Sequence, residues 1–91
     1  MKLNPNDPLV RTAVFGQQVE NFLRTDIGNY LLESAKSKKD QAVEEFKKVD
    51  PLNSAEVLKA QNEIRIADLF MDWLAEAIQN GRQASENLET Q

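Results

Sequence analysis

With 91 residues, 41% of them aliphatic or aromatic and 29% charged, the chain has room for one folded domain and is too apolar for full disorder. Eleven basic and fifteen acidic residues leave a net charge of -4, which favours solubility and argues against duplex DNA as a partner. There is no cysteine and no histidine, so a disulfide framework, thiolate or imidazole metal ligands, thiolate nucleophiles and an imidazole general base are all excluded.

A domain this small buries only somewhat more than about 60% of its unfolded surface, so its stability is expected to be modest or shared with a partner. No stretch approaches the roughly 18 apolar residues of a membrane span. The opening Met1-Lys2-Leu3-Asn4-Pro5 is not followed by an apolar signal core, so the protein is expected to stay where it is made, in the cytosol.

Residues 1–7 read as an N-terminal arm. Asn6-Asp7-Pro8 reads as an N-cap with proline at the first helical position, where a missing donor costs nothing. A first helix is predicted from Pro8 to Arg24, with Val10, Val14, Phe15, Val19, Phe22 and Leu23 at helical spacing and Gly16 weakening its middle. Thr25-Asp26 either caps a new helix or lies inside one long helix that continues through Ile27.

A second helix is predicted from Ile27 to Val49, ending at Asp50-Pro51 because proline disfavours helical backbone in the residue before it. Asn53-Ser54-Ala55-Glu56 fits a capping box and opens a third helix, predicted from Ser54 to Asn80 with Gly81 as its stop. Residues 82–91 then form a polar tail or a frayed extension.

In the third helix Val57, Ala60, Ile64, Ala67, Met71, Leu74 and Ile78 are spaced 3, 4, 3, 4, 3 and 4 apart, a coiled-coil seam that needs a facing helix. The second helix offers Gly28, Leu31, Ala35, Lys39, Ala42, Phe46 and Val49. The short connection favours antiparallel neighbours. The fold class is therefore all-α: an antiparallel helical hairpin, about 27–49 and 54–80, carrying the N-terminal helix of about 8–24 either as a third packed helix or as an arm.

In the hairpin, facing positions sum to about 105 or 106. This sets Val49 against Val57, Phe46 against Ala60, Ala42 against Ile64, Ala35 against Met71, Leu31 against Leu74 and Gly28 against Ile78. Lys39 opposite Ala67 is the weak layer, tolerated if its stem crosses the alanine and its ammonium reaches solvent or Asp68. Gly28 itself reads as a close approach of helix backbones.

A second stripe, Ile66, Phe70, Trp73 and Ala77, is left in water by a two-helix hairpin. Phe15, Val19 and Phe22 of the first helix cover it, or another chain does. With Phe22 and the single Tyr30, this stripe is the candidate protein interface, since tryptophan and tyrosine are enriched in binding hot spots.

Asp68, Asp72 and Glu76 form a carboxylate row that reads as a solvated face. Without histidine and without inward orientation no metal is expected, and no cofactor. Lys36, Lys38, Lys39, Lys47 and Lys48 are interleaved with Asp40, Glu44 and Glu45 and read as a salt-bridged face, so nucleic acid is not expected either.

Taken together, Phe22-Leu23, Ile27-Gly28-Asn29-Tyr30-Leu31-Leu32, Val49-Asp50-Pro51, Ala60-Gln61-Asn62 and Trp73-Leu74-Ala75-Glu76-Ala77-Ile78 resemble a group of small helical proteins encoded by tailed bacteriophages and prophages, many of unassigned function. The resemblance spans about residues 15–85 and carries over no catalytic or binding residue. It implies a phage-encoded protein of the host cytoplasm or the virion.

The leading expectation is a non-enzymatic interaction protein, structural or assembly-associated, that packs its helices with itself or with a larger protein. The alternative is a small acidic inhibitor or regulator of a host enzyme or defence complex, using Glu63, Asp68, Asp72 and Glu76. An enzyme is not expected, because only carboxylates, lysines, hydroxyls and Tyr30 are available.

Overall fold

A computed structural model describes residues 4–90. Three helices follow one another: α1 Pro8–Arg24, α2 Asp26–Lys48 and α3 Ser54–Glu89. The predicted arm of residues 1–7 is described only from Asn4, and the predicted tail only to Thr90.

Local chemistry sets each boundary. Asp7 caps α1 by accepting the Leu9 N–H at 2.8 Å, and Pro8 holds the first helical position. The segment before it is a turn, closed by the Asp7 N–H donating to Asn4 O at 2.9 Å.

Thr25 ends α1 and starts α2, so the reading with one continuous helix is corrected. It stands in extended conformation, φ -72° and ψ 159°, and its N–H donates to Phe22 O at 3.0 Å. Its hydroxyl donates to the same carbonyl at 2.6 Å and accepts the Gly28 N–H at 3.0 Å. One threonine thus satisfies the end of one helix and the start of the next.

Between α2 and α3, Asp50 accepts the Leu52 N–H at 2.9 Å and Asn53 caps α3 by accepting the Glu56 N–H at 3.2 Å. The Asn53 N–H goes to Asp50 O at 2.9 Å, so the reciprocal half of the predicted capping box is replaced by the turn's own hydrogen bond.

The predicted stop at Gly81 is also corrected: α3 continues through it to Glu89, and Ala84 beyond it is buried. None of the three glycines has positive φ, so conformational freedom is not their role. What they share is close backbone approach.

The described residues fall into two compact units. One holds α1, the first turn of α2 and α3 from Trp73 onward; the other spans Tyr30–Asp72.

The first unit is built on a glycine contact between α1 and α3. A Cβ on Gly16 would stand 2.7 Å from Ala77 O and 2.8 Å from Gly81 Cα, and one on Gly81 would stand 2.8 Å from Gly16 Cα. Beside this crossing Glu20 accepts from Arg82, with Nε and the terminal nitrogen both 3.0 Å from Oε1, while Arg24 lies 3.7 Å from the other oxygen.

Gly28 serves the α1–α2 corner, where an added Cβ would fall 1.8 Å from Phe22 O. Its predicted close approach therefore exists, with the carbonyl end of α1 as the nearest backbone.

In the second unit α2 and α3 pack through alanines: Ala42, Ala60 and Ala67 are buried. The large partner expected over Ala60 is not; Phe46 remains exposed. A contact of two helices has only one seam, so a large side chain lying over an alanine still shows its outer face to water.

Replacing Gly16 or Gly81 by alanine gains up to about 1 kcal/mol of helix propensity. It also drives a methyl into backbone that cannot yield without separating the helices, at about 1–3 kcal/mol. Thermal unfolding followed by circular dichroism is expected to show a lower Tm for each variant, by about 4–8 °C per kcal/mol of net loss, and a non-additive double variant.

Candidate protein interface

The described residues bury just four apolar side chains, all of them alanines: Ala42, Ala60, Ala67 and Ala84. Twelve large apolar residues, among them Phe15, Tyr30, Ile66 and Trp73, are exposed. The apolar surface gathers into grooves within each unit.

In the first unit Trp73 and Ala77 share a groove with Val10, Val14 and Phe15 of α1. The predicted cover of this stripe by α1 is therefore only partial. Trp73 is 64% exposed and Phe15 58%, while Val19 and Phe22 do not line the groove.

In the second unit Ile66 and Phe70 line a groove of about 550 Å³ together with Leu31, Ala35, Ala42 and Ala67. Ile66 is 67% exposed and Phe70 half-buried. Ile66 and Phe70 belong to the second unit, and Trp73 and Ala77 to the first. Phe22 and Tyr30, the latter 69% exposed, line neither groove.

The predicted acidic face is spread over different surroundings. Glu63 borders the Ile66–Phe70 groove. Asp68 and Asp72 border another, with Phe46, Ile64 and Arg65, and Glu76 lies in the first unit beside Trp73. Asp68 is moreover engaged by Lys39, whose Nζ is 2.6 Å from its carboxylate. No three acidic side chains gather as a metal site among the described residues.

Sequence reasoning missed Gly16 and Gly81. The spacing held a signal: the α3 seam continues from Ile78 to Gly81 by 3, and Leu9, Thr12, Gly16, Val19 and Leu23 form a 3, 4, 3, 4 series on α1.

No helix among the described residues is long and apolar enough to cross a membrane. No protein-family model, curated protein or solved structure matches the chain.

The hydrogen bond and charge of Asp68 raise the Lys39 ammonium above its ordinary 10.5, with Asp40 and Asp72 adding to the effect. A raised lysine pKa is stability present below the ordinary value and lost as pH climbs through the raised one. The Tm difference between the wild type and Lys39→Met, measured along a pH series, is therefore expected to shrink above pH 10.5. A difference that widens there would contradict the pairing.

Proposed function

We propose that this chain is a non-enzymatic helical interaction protein that works by packing its helices with itself or with a larger protein. Its place is among the assembly-associated proteins of tailed phages, in the host cytoplasm or the virion. The observation that carries the reading is the burial pattern: four alanines buried and twelve large apolar side chains exposed among the described residues. Fully burying one side chain the size of isoleucine or phenylalanine contributes about 1.5–3 kcal/mol, so covering the exposed parts of several of them offsets much of the cost of association.

The scaffold of this function is the antiparallel hairpin of α2 and α3 with facing positions summing to about 106, to which α1 is added. The Lys39–Asp68 pair, the alanine contacts and the turn at Asp50-Pro51 support it. With Ala35 and Met71 both replaced by cysteine, a disulfide should form readily on mild oxidation of folded protein; failure to form it would rule out the register.

The interaction itself is tested by light scattering of the purified chain alone and by pull-down from expressing or infected cells. The reading predicts a mass above the monomer, or one stoichiometric protein partner. It also predicts that Phe70→Ser and Trp73→Ser lose that association while Asp72→Lys keeps it. A monomer without partners, with a rigid and shielded Trp73 by fluorescence quenching, would contradict it.

A further inference from the structure

We infer that the Ile66–Phe70 groove is a self-recognition surface occupied by the same groove of a second copy across a twofold axis. This inference rests on the reading of the chain as a helix-packing protein and commits it to one occupant.

The argument is one of charge. Lys38 and Glu45 of α2 and Lys59 and Glu63 of α3 line the groove. They sum to zero in a chain whose net charge is -4, so like copies repel each other less here than over the chain as a whole.

None of the four makes an ion pair within the chain among the described residues. Lys36, Lys39 and Lys47, by contrast, are each paired, with Glu33, Asp68 and Glu44. The groove thus holds charges of both signs still without a partner, one of each sign on each helix.

On α2 that pattern is complementary to its own rotation. Lys38 and Glu45 are two helical turns apart on one flank of α2. A twofold axis passing between Gln41 and Ala42, perpendicular to the helix, lays α2 of the second copy antiparallel. Lys38 of each copy then faces Glu45 of the other, forming two ion pairs at once.

Because Lys39 meets Asp68, the same level of α3 lies near Ile66. The axis therefore sets Ile66 beside Ile66 of the second copy and brings the Lys59 stem over its Phe70, a cation–π contact that also shields the ring. A strongly acidic or strongly basic partner would find half of these charges opposed.

The area fits a weak dimer. From Leu31 to Glu45 the groove runs about 21 Å along α2, so a face about 20 Å wide gives about 420 Å² per copy and about 840 Å² for the pair, in the range of weak, transient contacts.

Sedimentation equilibrium of the full chain tests this with Lys38→Glu and Glu45→Lys. Each variant alone sets like charges together at both pairs and is expected to dissociate about tenfold more readily than the wild type. An equimolar mixture of the two restores both pairs and with them wild-type affinity, as does the double variant in one chain.

If either single variant loses its helical signal, Gln41→Cys serves instead. Close to the axis, it should form a disulfide with its own copy, whereas Ser37→Cys should not. A monomeric wild type up to millimolar concentration overturns the inference while leaving packing onto a larger protein intact. Association that is indifferent to both charge reversals, or an associated Gln41→Cys that does not cross-link, overturns this groove and leaves self-association by another face.

Discussion

How closely two helix backbones can approach decides almost everything else in this molecule. Where α1 meets α3, glycine faces glycine, and a single added carbon at Gly16 would stand 2.7 Å from a backbone oxygen. Where α2 meets α3, alanines occupy the buried positions. Contacts made this way are narrow: dispersion and backbone proximity hold them, and the seam has no room for leucine or phenylalanine. The large side chains are displaced to the flanks, where each is half covered by its own helix and open on the other side.

Polar chemistry supplies what the core does not. Thr25 closes one helix and opens the next with its backbone and one hydroxyl, and the Asp50–Asn53 turn spends its side-chain oxygens on exposed amides. Ion pairs reinforce the contacts from outside, Glu20 with Arg82 next to the glycine crossing and Lys39 with Asp68 between α2 and α3. Exposed pairs of this kind orient helices more than they stabilise them.

The helix boundaries were largely legible in the sequence because they depend on neighbours in the chain. Pro8 after Asp7, proline after Asp50 and Asn53 before Ser54 each act within three residues, and α1 and the starts of α2 and α3 fall within one residue of expectation. Gly16 and Gly81 were misread for the opposite reason. Within its own helix a glycine reads as a weak point or a stop, and the benefit that reverses this comes from a residue 65 positions away. Gly28 was legible as a close approach, although seam periodicity pointed to a facing helix and its nearest backbone is that of the preceding corner.

The candidate interface was legible as a stripe, and what spacing does not supply is its neighbours: Ile66 and Phe70 share a groove with α2 residues, and Trp73 and Ala77 with α1 residues. Carboxylates at four-residue spacing likewise suggested one acidic face, and their surroundings separate them.

The central proposal is that a second copy of the chain covers the apolar surface of the folded state and thereby stabilises it. Thermal unfolding recorded over a hundredfold range of protein concentration tests it most directly, because association with the folded state alone raises Tm by mass action. A Tm that climbs by several degrees across that range is the predicted result; a single cooperative transition at a fixed temperature, whatever the concentration, would contradict it.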